Sequence, residues 1–445
     1  MPAGAFPPQS VGRRAVEYRA PGIAVWSYMA FFLFSFFNVA GLILAVLKLE
    51  SLPLQPVAFA LTGMLVIPMT RAKPSHPYFL VAWVFWIFFA LGGFIGPHSL
   101  VGVSDMALWQ LVLKLWISLI GVPFLTIRAI DRDKLPMLLK TAVVASAIGG
   151  VLAVLQVLSP GRFILILTEL GRGSGFWLNP NSCAEVLGFC LLLSLIYPFK
   201  SKSVNIVLRA IIVIGMLTTF SRTGLAIIVL GSGVYGLLMR QFRVVLQIVV
   251  VFAFVAIVGS FIVDQMKATS TKIFESRLTR FGALLQGNVE GDRQADDRFA
   301  LWGYGWRAVM REPITGQGHR FMDTVVPLGG GFGPHNYYLY VWGNSGILAF
   351  LSFLLFLVVL CQMAWRCTDR RARASVLAIA TMIAMIAMVD HSFLNNVFFG
   401  PIFAIMVAIA YHLKPEKKTG FRPVHQVVRV SLPPRRPGGP ASTAG

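Results

Sequence analysis

A histidine placed between a run of glycines and an apolar helix is where this chain could do chemistry. In residues 316–350, GQGHRFMDTVVPLGGGFGPHNYYLYVWGNSGILAF, glycines 329, 330, 331 and 333 lead to Pro334, His335 and Asn336. Glycine lets backbone approach a ligand closely, and proline fits the first turn of a helix. His335 is therefore expected at a helix start, where the positive end of the dipole disfavours the imidazolium. A neutral ring can accept a proton. On a helix, His335 would share a face with Leu339 and Trp342. The competing reading is that it merely caps a helix at a membrane surface.

Further polar residues recur between apolar segments. GRGSGFWLNPNSCAEVL sets Arg172 among glycines ahead of an Asn179-Pro180-Asn181 turn. Asn181 reads first as a helix cap. Arg172 reads either as a lipid-snorkelling base or as an anion ligand. TFSRTG puts Ser221, Arg222 and Thr223 in a very short turn, with no Asp or Glu in the spans on either side. Arginine at that depth needs an anion, and a phosphate group suits its planar fork better than loose headgroup contact. Arg298 precedes Trp302 and Trp306 at helical spacing and follows Asp296 and Asp297, so a local salt bridge competes with function. Lys114 lies within an apolar span, to snorkel or to line a cavity. Asp390 and His391, at a turn between spans, are weaker candidates. The chain has no HExxH, metal-spaced carboxylate cluster or P-loop. The inventory is that of a base plus several arginines, suited to an anionic, lipid-linked substrate without a bound metal, nucleotide or other cofactor.

The elements that must position these residues are membrane helices. With 56% hydrophobic and 13% charged residues, and a mean hydropathy of +0.73, the chain reads as an all-α polytopic membrane protein. Twelve spans are expected near 22–46, 55–70, 77–95, 107–127, 138–158, 182–198, 204–220, 223–239, 244–264, 336–365, 374–390 and 392–412. Residues 1–21 form an N-terminal segment, 22–264 about nine spans, 265–335 a long outer loop, 336–412 about three spans, and 413–445 a basic disordered tail. Within the loop, helices are expected around 271–285 and 294–311. The net charge of +21 sits in alternate connections, for example Arg128, Arg132 and Lys134, or Arg366, Arg370, Arg371 and Arg373. This is the positive-inside pattern of a multi-pass inner-membrane protein with both termini cytoplasmic, not the stripe of a nucleic-acid binder. No cleavable signal peptide is expected, since the basic start leads into a full-length span. Cys183, Cys190, Cys361 and Cys367 read as packing residues.

Taken in order, GFWLNPNSCAEVL, FSRTG, DRFALW…REPITGQG and PHNYYLYVWGNSGILA resemble the O-antigen ligase and polymerase superfamily of bacterial envelope proteins, over about 172–350. The resemblance implies a glycosyltransferase acting at the periplasmic face on an undecaprenyl-pyrophosphate-linked glycan. The acceptor would be lipid A-core for a ligase or another glycan for a polymerase, including exopolysaccharide polymerases. It implies His335 as the base that activates the acceptor hydroxyl, and Arg222, Arg298 and, less firmly, Arg172 as pyrophosphate ligands. The transfer it implies is inverting and metal-independent. Asn336, Ser221, Asn181, Trp302 and Lys114 are expected in support. Expected partners are this donor and acceptor, the bilayer and other polysaccharide-assembly proteins. Two other classes stand beside this reading: a transporter or flippase for an anionic or lipid-linked solute, and a non-enzymatic member of an export complex.

Overall fold

A computed structural model describes residues 20–47, 52–70, 76–97, 105–159, 172–241, 246, 293–324 and 333–413, with backbone alone at 105–108, 222, 293–298, 324 and 395. The described residues are helices and their connections, without strands. Apolar sequence of this length has to satisfy its backbone internally, and a helix does so within one segment.

The first helices are α1 (Gly22–Phe36), α2 (Val39–Val46), α3 (Leu54–Met69) and α4 (Pro77–Ile95). Next come α5 (Asp105–Trp116), a π-helical turn (Ile117–Gly121), α6 (Val122–Ala129) and α7 (Leu135–Leu158). The middle of the chain forms α8 (Pro180–Leu193), α9 (Lys202–Leu217) and α10 (Arg222–Met239). Beyond these lie α11 (Arg293–Arg311), a single turn α12 (Phe321–Thr324), α13 (Tyr337–Trp365), α14 (Arg370–Val389) and α15 (Phe399–His412).

Each expected span except 244–264, of which only residue 246 is described, contains helix, although 182–198 is helical only to Leu193 and 392–412 mainly from Phe399. Among the described residues five helices are long and apolar enough to cross a membrane, six if the bent pair α1–α2 counts as one span. That pair bends by 53° at Asn38, whose φ is +51°. Helices α3, α8, α9 and α15 are shorter, at 14 to 16 residues. The expected loop helix at 294–311 is α11, whereas 271–285 and the tail from 414 lie outside the described residues.

Packing follows residue size. Phe399 to Ala410 of α15 are all buried, as expected of a helix that is apolar all round. It lies against α1, α6, α7, α8 and α13. Helices α7 and α9 come together where Gly150 faces Gly215, because small residues let backbones close in. Helix α10 packs along α14, and α13 along α4 and α14. One end of the bundle gathers the short basic connections: Arg370 donates to the Leu238 carbonyl at 2.9 Å, and Arg209 to the Ser194 carbonyl at 2.9 Å. The opposite end gathers the starts of α8, α10 and α13 and the close of α14.

Candidate active site

Three of the sequence motifs turn out to be one local device used three times. Each ends in a residue with left-handed φ followed by a polar N-cap. Leu178 (φ +62°) precedes Asn179, Phe220 (+48°) precedes Ser221, and His335 (+45°) precedes Asn336. The Asn179 side chain accepts from Asn181 N–H, Ser221 Oγ from Gly224 N–H, and Asn336 Oδ1 from Leu339 N–H. Each cap satisfies a backbone donor that the first turn leaves open, so the chain can reverse and start a helix within a few residues.

This geometry corrects two expectations. His335 lies outside α13, two residues before Tyr337, so it is not part of a helical stripe with Leu339 and Trp342. Asn181 is not the cap of α8, because Asn179 takes that role. Asn181 Oδ1 instead accepts from Arg172 Nη2 at 2.9 Å and from Ser221 Oγ at 2.8 Å. Arg172 Nε also donates to the Thr219 carbonyl at 2.7 Å, and Gly173 N–H donates to the Thr218 carbonyl at 2.9 Å. The guanidinium therefore ties the loop ahead of α8 to the turn from which α10 starts, at Arg222. Four residues on from Arg172, Phe176 packs on Phe37 at 4.7 Å between ring centres. Phe37 lines an open apolar groove of about 610 Å³ between α1 and α7, together with Leu33, Val144, Ile148 and Phe199.

Around His335 the structure assembles a second polar group. The His391 ring, in the turn after α14, stands nearly perpendicular to it at 5.1 Å between centres. His391 Nε2 is 3.9 Å from Asp323 Oδ1, and Arg320 Nε is 3.6 Å from Asp323 Oδ2. The Tyr340 hydroxyl donates to the same carboxylate. Burial lowers the His391 pKa to about 4, with neighbouring Asp390 opposing that effect and His335 adding to it. Burial raises Asp323 from its usual value, although Arg320 and Tyr340 hold it down. Asp390 also lies within electrostatic reach of Glu185, one turn below Asn181 on α8 and 1% exposed.

Residues 207–354 match the family model for O-antigen ligase. The chain carries an O-antigen ligase domain. No curated protein is matched by the chain. The matched segment holds Arg222, Arg298 and His335, while Arg172 and Asn181 lie before it and His391 after it.

Within the O-antigen ligase domain, TGQGHR is a strap driven between α4 and α13. Gln317 N–H donates to the Gly343 carbonyl, Gly318 N–H to Asn344, and His319 N–H to Gly93. Gly316 and Gly318 have φ of +77° and +111°. Gly346 interrupts α13 at φ +80° and ψ −177°. There the Ile347 N–H, freed from the helix, donates to the Ile314 carbonyl at 3.3 Å. The strap leaves His319 1% exposed, between Phe89 and Phe94. Neither of its ring nitrogens has a well-formed hydrogen bond, and only the Ala90 backbone offers partial compensation.

Other expected residues fall elsewhere. Arg298 lies on α11, whose Leu301, Ala308 and Val309 are buried. Trp302 packs on Phe299 at 5.4 Å, and its indole nitrogen has no partner among the described residues. Lys114 is half-buried on α5, outside the Asn181 network. Arg320, Asp323 and Glu185 are site neighbours that residue type and spacing did not single out. The signal for Glu185 was present, as a carboxylate inside an apolar segment.

Proposed function

We propose that this protein is a membrane glycosyltransferase of the O-antigen ligase type, moving a glycan from an undecaprenyl-pyrophosphate carrier to a sugar hydroxyl at the periplasmic face. One observation carries the reading: within the matched segment, Arg222 directly follows the cap of α10 and His335 directly precedes the like cap of α13, and those helix starts lie at one end of the bundle.

His335, half-buried and outside the helix, takes the proton from the acceptor hydroxyl as the hydroxyl oxygen attacks the anomeric carbon. The bond to the carrier phosphate breaks as charge grows on the pyrophosphate, which Arg222 and Arg298 stabilise. Arg172 serves mainly to brace the turn that presents Arg222. The groove that starts at Phe37 and runs along α7 to Lys140 and Phe199 offers apolar surface for a lipid tail. The transfer inverts the anomeric centre and needs no metal. The acceptor is lipid A-core for a ligase or a growing glycan for a polymerase. Twelve spans with cytoplasmic termini in the inner membrane put the site on the outer side.

The test is a strain lacking this gene, complemented with wild type, His335→Asn or Arg222→Ala. Asparagine tolerates the left-handed backbone at position 335, so His335→Asn removes the base with little backbone strain. Both variants are expected to insert normally and to abolish transfer. Long polymer left on the carrier marks a ligase, and single repeats mark a polymerase. Wild-type polymer from either variant would sink the proposal.

A further inference from the structure

We propose that His391 is a positioning residue for His335, presenting a neutral ring that fixes the base and stabilises its imidazolium as the proton is taken up. The inference rests on His335 being the base.

His335 has no helix to orient it, since its left-handed backbone lies before the cap. The His391 ring meets it nearly edge to face, at 5.1 Å and 81°. His391 is itself held on several sides. A Cβ at Gly333 would come within 2.5 Å of its ring, so the glycine two residues before His335 makes room for it. Tyr340 packs at 5.7 Å and Asp323 lies beyond Nε2. The turn carrying His391 is fixed from Asp390, whose Oδ1 accepts from Ser392 N–H at 2.7 Å and from Ser392 Oγ at 2.8 Å.

An aromatic face attracts a cation, more strongly when both are removed from water. A neutral His391 therefore interacts weakly with neutral His335 and more strongly with its imidazolium. An interaction that strengthens as the reaction proceeds raises kcat and leaves substrate affinity alone. The charged and titratable groups around His391 are Asp390 on its own turn, His335 and Tyr340 from the α13 side, Arg320 from the strap and Asp323 from α12. Glu185 of α8 stands behind Asp390. Burial keeps His391 uncharged down to about pH 4.

Two measurements test this. In the complemented strain, using its own lipid-linked glycan, His391→Leu is expected to slow transfer about tenfold, and His391→Phe, which keeps an aromatic face, to restore most of the rate. His335→Asn combined with His391→Leu should be no worse than His335→Asn alone. The second readout needs no turnover: histidine ring NMR of the full-length protein in lipid nanodiscs. Removing the His335 charge with His335→Asn should move the His391 titration upward from about 4. The proposal is overturned if Leu and Phe behave alike, or if the His391 titration is unmoved. Should His391→Leu fail to fold, the His335→Asn titration still decides. Active His335→Asn with a shifted His391 titration would instead mean that the pair is real and the base reading wrong.

Discussion

At the scale of single residues, the histidines separate by environment. His319 is sealed inside the strap, and burial lowers its pKa to about 4. A folded-state pKa below the unfolded value near 6.5 means that the unfolded chain binds more protons between those values, so stability rises with pH across that window and falls on acidification. The expected loss between pH 7 and pH 4 is up to about 3 kcal/mol for this residue alone. Thermal melts of wild type and His319→Phe across this range should show the variant losing less on acidification while keeping its transfer activity. An equal acid sensitivity in both would place the effect elsewhere. Arg172 is argued the same way, from its two acceptors. A lysine cannot reproduce the fork from Nε and Nη2 to Thr219 and Asn181. Arg172→Lys should lower stability by about 1–3 kcal/mol and transfer by at least tenfold, with Asn181→Ala giving the same pattern. Normal transfer by Arg172→Lys would show that the brace does not matter to the reaction.

At the scale of elements, the decisive feature is the break in α13. Its first part, from Tyr337, presents the site and packs on the strap, while the part beyond Gly346 is membrane helix. With φ +80° and ψ −177°, Gly346 occupies a region open essentially to glycine. A Cβ there would also run into the Ile314 carbonyl. Gly346→Ala is expected to cost about 3 kcal/mol or more and to lower the yield of folded protein. Full yield and activity would mean that the strap can shift without consequence. The three capped starts make a milder case. Replacing Asn336 by alanine removes one bond to Leu339 N–H and should cost about 1 kcal/mol.

At the scale of the whole molecule, site residues and short basic loops occupy opposite ends of the same helices, which gives orientation a direct test. Ser201→Cys, beside α9 at the basic end, should resist a membrane-impermeant maleimide in intact cells. Glu312→Cys, just after α11, should react. The reverse pattern would invert the protein and overturn the proposed periplasmic placement of the site. Native cysteines interfere little, since Cys183, Cys190 and Cys367 are buried and Cys361 is half-buried on α13.

Much of this was readable from residues alone. Long apolar stretches determine helices because unpaired backbone is intolerable in lipid, and α11 showed in its helical periodicity. His335 and the TFSRTG turn stood out because polar residues between apolar segments need a reason to be there. What pairs with what was decided only by the tertiary structure. The caps Asn179 and Asn336 and the acceptor Asn181 are the same residue type, and sequence cannot say which asparagine faces its own helix and which faces Arg172. His391 lies 56 residues beyond His335 along the chain, and the two meet because α14 runs back along α13. The glycines ahead of His335 looked like room for a ligand; in the structure Gly333 is where the His391 ring presses in, and backbone of other elements presses in at Gly316 and Gly346, contacts that local propensity does not encode.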